Sequence, residues 1–135
     1  MSMKNEFLCP HCRGYLQVEK NLIFSIETSS KEKGLIFLSP ELGDYTMKKN
    51  RNFVLKDNDT VIVHCPICHT DLRDKDVHED LAKVIMIDMD GVENEIYFSA
   101  VYGEHSTYKV SGKKVDHYGS RWDKYINFFN LSLYK

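Results

Sequence analysis

The chain has 135 residues, of which 42% are apolar and 28% charged, and its formal charge is −2. That is enough for one domain with its own core, and the acidic balance excludes general attraction to nucleic acid or anionic lipid. No run approaches the ~18 apolar residues of a membrane span, and Met1-Ser2-Met3-Lys4-Asn5-Glu6 lacks the apolar stretch of a secretory signal. A soluble, cytoplasmic protein is expected.

The first chemistry-bearing segment is Cys9-Pro10-His11-Cys12-Arg13-Gly14-Tyr15-Leu16. It returns as Cys65-Pro66-Ile67-Cys68-His69-Thr70-Asp71-Leu72, so the two share C-P-x-C-x-x-x-L, and no longer repeat is visible. Between the cysteine pairs the chain reads as strands and turns. Leu22, Phe24 and Ile26 alternate with Ile23, Ser25 and Glu27, the period of a pleated strand. Gly34 to Pro40 is a short apolar run opened by Gly and closed by Pro, which fits a buried strand. Tyr45 to Lys48 and Phe53 to Lys56 are weaker strand candidates, Asp57-Asn58-Asp59 is a polar turn, and the β-branched Thr60 to His64 leads into the second pair.

A charged connector, Arg73 to Asp80, follows the second pair. Beyond it, Lys83 to Asp88, Glu95 to Tyr102, Thr107 to Val110 and Lys114 to Tyr118 read as strands, the last two separated by Ser111-Gly112. The period then changes. Trp122, Tyr125, Ile126 and Phe129 lie at i, i+3, i+4 and i+7 behind a Ser120-x-x-Asp123 start signal, which predicts a helix laying one aromatic stripe on the sheet.

Paired cysteines in an intracellular chain point to metal or redox chemistry rather than disulfides. A C-x-x-C turn lets two thiolates reach one ion, and two such turns complete the tetrahedron that Zn²⁺ prefers, with no position left open. One structural Zn²⁺ held by Cys9, Cys12, Cys65 and Cys68 is therefore expected, giving a charge of −2 − 4 + 2 = −4. The proline within each pair fixes φ and stiffens the turn. Rubredoxin-like iron would use the same thiolates but favours Gly after the second Cys, where Arg13 and His69 stand. The βαβ setting of a thioredoxin-like C-x-x-C is missing at both pairs. His11, His64 and His69 read as neighbours of the site or exposed side chains.

The two cysteine segments resemble those of the zinc ribbon group, which implies two knuckles at the tips of neighbouring β-hairpins. Ribbons usually join their knuckles by a shorter β segment than this one. The expected fold is mainly β and antiparallel. Residues 1–80 form a zinc-ribbon-like half with a long β insertion between the knuckles; residues 81–135 form a β-meander with one C-terminal helix, sharing the same core.

Val84-Ile85-Met86-Ile87-Asp88-Met89-Asp90-Gly91-Val92 is similar to the first motif of haloacid-dehalogenase-like phosphatases, an apolar strand ending in D-x-D-G. That resemblance implies Asp88 as nucleophile and Asp90 as acid/base near a Mg²⁺, on a long α/β sheet. The residues after Gly91 read as antiparallel strands instead, so a hairpin turn is expected there. No phosphate loop, dinucleotide fingerprint, H-E-x-x-H or G-x-S-x-G is present.

The function expected is that of a non-catalytic, zinc-binding adaptor whose partner is another protein or a second copy of the chain. The alternative is a nucleic-acid-binding zinc ribbon using Arg13, Lys48, Lys49 and Arg51, with the Lys113-Lys114 pair and with Tyr15 or Tyr45 as stacking platforms. A third reading assembles an enzyme site from the scattered His105, Asp116 and His117.

Overall fold

The computed structural model describes residues 5–112 and 114–133, with no side-chain description for residues 130–133. It is mainly β, with two antiparallel sheets and one short C-terminal helix. The strands are β1 (Glu6–Leu8), β2 (Gln17–Val18), β3 (Asn21–Glu27), β4 (Lys33–Leu38), β5 (Met47–Lys49), β6 (Ile62–His64), β7 (Leu81–Ile87), β8 (Glu93–Ser99), β9 (Thr107–Ser111) and β10 (Lys114–Tyr118). The helix, α1, is Ile126–Leu133. One sheet has the order β1-β7-β8-β9-β10; the other runs β2-β3-β4-β5, with β6 also paired to β3.

The register reveals an internal repeat. A shift of 56 positions carries the hairpin around Cys9 onto the one around Cys65, and a shift of 60 carries β3, β4 and β5 onto β7, β8 and β9. Leu22 pairs with Leu38 and Glu27 with Lys33 in the first repeat; Ala82 pairs with Phe98 and Ile87 with Glu93 in the second. Likewise Leu38 faces Met47 where Phe98 faces Thr107. The repeats exchange strands: β1 of the first lies on β7, and β6 of the second lies on β3 at the equivalent register. Swapping the two repeats maps each of these contacts onto its counterpart, an approximate two-fold relation.

The turns repeat too. Between β3 and β4, Thr28 Oγ1 accepts from the Glu32 amide at 3.1 Å; between β7 and β8, Asp88 Oδ1 accepts from the Val92 amide at 3.0 Å. Lys31 and Gly91 hold the same left-handed position, at φ 72° and 81°. Asp88 also receives the Asp90 amide and the Asn94 side chain. It therefore caps a hairpin turn, as the sequence suggested for this phosphatase-like motif. After β4 and β8 the chain turns in matching fashion: Ser39 Oγ accepts from Glu41 N and Ser99 Oγ from Val101 N, and Gly43 and Gly103 have positive φ.

Alternation sets which side chains are inside. Leu22, Phe24 and Ile26 of β3, Ile36 of β4, Val84 and Met86 of β7 and Ile96 of β8 meet in one apolar cluster that also takes Phe7, Val63, Cys9 and Cys65. A second cluster lies on the other face of the β8–β9 sheet, where Leu81, Tyr97, Tyr108 and Val110 receive Tyr125 and Phe129.

Two local expectations shift. Phe53–Lys56 forms no strand; Phe53 is a buried plug whose ring lies over Gly34, where any Cβ would come within 2.6 Å of it. The C-terminal helix begins at Ile126, not near Ser120. The carbonyls of Arg121 and Trp122 accept from the hydroxyls of Ser106 and Tyr108, Arg121 O takes a tight-turn bond from the Lys124 amide, and the Tyr125 amide goes to Tyr108 Oη instead of to a helical carbonyl. Trp122 thus stays outside the helix, stacked on His117 at 3.9 Å. Among the described residues no helix is long and apolar enough to cross a membrane.

Candidate metal centre

Each knuckle is a short hairpin closed by the same hydrogen bonds. In the first, Cys9 N donates to Gly14 O, Arg13 N to Cys9 O and Leu16 N to Phe7 O, at 3.0, 2.9 and 2.9 Å. In the second, Cys65 N donates to Thr70 O, His69 N to Cys65 O and Leu72 N to Val63 O, at 3.0, 2.9 and 2.8 Å. Amides point at the sulfurs as well: His11 N lies 3.3 Å from Cys9 Sγ, Ile67 N 3.3 Å from Cys65 Sγ and Gly14 N 3.4 Å from Cys12 Sγ. Such donors disperse negative charge on a thiolate.

The residue after the second cysteine is left-handed in both knuckles, with Arg13 at φ 59° and His69 at φ 66°. That is the position a Gly would fill without strain. The conformation is therefore kept despite the side chains, because the turn that aims both sulfurs inward requires it.

The four Sγ atoms lie within 4.8 Å of one another, and together they could hold a metal ion. Cys9 Sγ is 3.8 Å from Cys68 Sγ, and Cys12 Sγ is 3.8 Å from Cys65 Sγ, two contacts that the repeat relation interchanges. Cys9 and Cys65 are buried, Cys68 is half-buried and Cys12 is exposed. Burial pushes the Cys9 thiol up to about 12 and raises that of Cys65, whereas the Thr70 hydroxyl and amide pull Cys68 down to about 6. Four thiolates would not coexist in this space without a cation, and the donor set fits a metal ion. No other group of three or more His, Cys, Asp or Glu among the described residues is arranged to hold an ion.

The neighbouring histidines have separate places. His64 Nδ1 faces the His69 carbonyl at 3.2 Å and its Nε2 lies 3.9 Å from Glu27, while His11 and His69 are exposed.

The basic residues singled out in the sequence are spread over the molecule's hydrogen bonds. Arg13 pairs with Glu93 beside the first knuckle, and Lys49 Nζ donates to the Phe53 carbonyl at 2.7 Å. Lys48 and Arg51 are exposed, and Lys113 lies outside the described residues. Tyr15 is exposed, whereas Tyr45 is half-buried and stacked on His105, its repeat equivalent, at 4.3 Å. Asp116 stands 3.8 Å from Lys114.

Sequence reasoning missed the pairing of Tyr45 with His105 and the loops that carry them. Their trace is Ser39-x-x-x-Gly43-Asp44 against Ser99-x-x-x-Gly103-Glu104. No protein-family model, no curated protein and no solved structure matches the chain.

Proposed function

We propose that the protein is a non-catalytic β module clamped by one structural Zn²⁺, which works by binding another protein or a second copy of itself. The observation that carries this reading is the four-sulfur cluster. A tetrahedron built on Zn–S bonds of about 2.3 Å has edges of about 3.8 Å; two of the four cross-knuckle sulfur pairs are 3.8 Å apart, and all four sulfurs lie within 4.8 Å of one another. With four thiolates the ion keeps no position for water or substrate, so it serves architecture and not catalysis.

The clamp has a definite task. Each knuckle opens from a strand lying in one sheet and hands its second arm towards the other sheet's long strand: Leu16 O accepts from Ile23 N, and Leu72 O accepts from Lys83 N. An ion shared by both knuckles ties the two repeats together, so its binding energy becomes folding energy. Tyr15 and Ile67 stand exposed at the knuckles, with Val92 exposed beside the Glu93 that pairs with Arg13. Exposed apolar groups around a rigid scaffold support a contact surface.

The test is metal content by native mass spectrometry on untagged protein, with thiols titrated before and after chelation. One zinc per chain and four thiols protected until chelation is the expected result. Iron, or reactive thiols without metal, would replace the clamp with a redox reading. For the contact surface, light scattering and crosslinking should detect association that Tyr15→Ser with Ile67→Ser abolishes. A strict monomer binding single-stranded RNA in a salt-dependent manner would favour the nucleic-acid alternative instead.

A further inference from the structure

A partly open space lies at one end of the seam between the two sheets. A cavity of about 440 Å³ lies there, within the ~300–1,000 Å³ range of small-molecule sites. Its lining comes as repeat equivalents: Phe24 with Val84 and Ile36 with Ile96 form the closely packed floor, and the half-buried Leu38 with Phe98 the accessible wall. It runs to the loops that follow β4 and β8, at the strand ends remote from the hairpin turns, where Ser39 and Ser99, Gly43 and Gly103, and Tyr45 and His105 line it in pairs. The small side chains of these loops and of Ala100 explain the room. A space this large, apolar and shared by both repeats is suited to an occupant.

Charge selects the kind of occupant. Glu41, Asp44, Asp57 and Glu104 line the cavity, and no Lys or Arg does so among the described residues. Glu104 is committed to Lys124 at 2.7 Å, with Ser99 and Tyr125 also donating to it. The other three form no ion pair among the described residues. The Thr46 hydroxyl and amide hold the Asp44 carboxyl below its usual range, so it is ionised at neutral pH. An anionic head would meet like charge at this mouth, and a cation would meet its complement.

We propose that this cavity binds a small amphiphile, with its hydrocarbon body between the repeats and a cationic head at the loop mouth beside Asp44 and Asp57. Binding of this kind is independent of the partner surface at the knuckles and uses residues from both repeats.

Octylammonium, octan-1-ol and octanoate, each titrated into the full-length protein as purified, distinguish the outcomes. The readout is methyl NMR, with Ile36 and Ile96 as reporters and the exposed Ile67 as control. Octylammonium should shift Ile36 and Ile96 and leave Ile67 in place, binding at least tenfold tighter than octanoate. Going from hexyl- to octylammonium should raise affinity about fourfold per methylene. Leu38→Phe, which installs the second repeat's residue in the first, and Ala100→Leu should each lower affinity at least tenfold with metal content and circular dichroism unchanged. Silence at Ile36 and Ile96 with all three probes, equal affinity for octanoate, or full affinity in both filled variants would overturn the proposal.

Discussion

The two repeats share a backbone and differ in what covers them. In the second, Tyr97, Tyr108 and Val110 form an apolar outer face that Tyr125 and Phe129 cover. A shift of 60 places Phe37, Lys48 and Asn50 at those positions in the first repeat, where Lys48 and Asn50 are exposed and Phe37 half-buried. The inner faces stay alike, with Ile36 and Ile96 both buried and both in the shared cluster. The paired cysteines are common to both. The difference teaches that the inter-sheet core and the knuckles constrain both repeats, whereas the outer face is free to stay polar or to recruit a helix. An antiparallel sheet tolerates either, since one solvated face is enough for it.

The strongest way to break the equivalence is at the metal. Cys9→Ser and Cys65→Ser occupy matching positions, and each should lose the ion and more than about 4 kcal/mol of stability. Urea denaturation with metal analysis checks this; retention of tight zinc by one variant alone would mean that the knuckles do not share an ion.

Next comes the inner core, where the repeats place Phe24 and Val84 at equivalent sites, both fully buried. Phe24→Ala should cost about 3–5 kcal/mol and Val84→Ala about 1–3 kcal/mol, following the volume removed. Equal losses in thermal unfolding would show that the two sides of the core do not carry load in proportion to their packing.

The loop carboxylates differ in setting, and pH separates them. Burial would raise the Glu104 pKa, but hydrogen bonds from Lys124, Tyr125 and Ser99 hold it below the usual carboxylate value. Its contribution to stability is therefore fully present above the unfolded value of about 4.3 and is lost as pH falls through the lower folded value. Glu104→Gln should cost about 1–2 kcal/mol at neutral pH and flatten the acid limb of the stability profile. Asp44→Asn, at the exposed equivalent, should change that limb less. The reverse ranking in acid titrations followed by fluorescence would refute the assignment.

The smallest effects lie at the left-handed turn positions. Gly91→Ala should destabilise by about 1 kcal/mol, while Lys31→Gly and His69→Gly should each stabilise by several tenths of a kcal/mol. Arg13→Gly should gain less, because it also removes the pair with Glu93. Chemical denaturation midpoints measure all four.

Much of the fold was legible. Strict alternation over Leu22, Phe24 and Ile26 specified β3, and the apolar stretch from Lys83 specified β7, because a half-buried or buried strand leaves no other pattern. The helix start was not legible, since Tyr108, distant in sequence, accepts the Tyr125 amide that would otherwise go to a helical carbonyl. The repeat was hidden for a similar reason. The connector after the second knuckle is longer than Gln17–Lys20, so the register slips from 56 to 60 and the few shared residues, Ile36 with Ile96, Ser39 with Ser99 and Gly43 with Gly103, fall out of step with the cysteines.

By itself the sequence determined the two paired-cysteine turns, the β class and the hairpin at Asp88, because cysteine spacing, side-chain parity and turn chemistry are local properties of the chain. Only the tertiary structure decided that the knuckles face each other, that β1 and β6 cross to the opposite repeat, and that a cavity remains between the sheets. Those follow from which surfaces meet, and contacts between residues as distant as Glu6 and Ile87, or Ser25 and His64, leave no periodic mark on the chain that makes them.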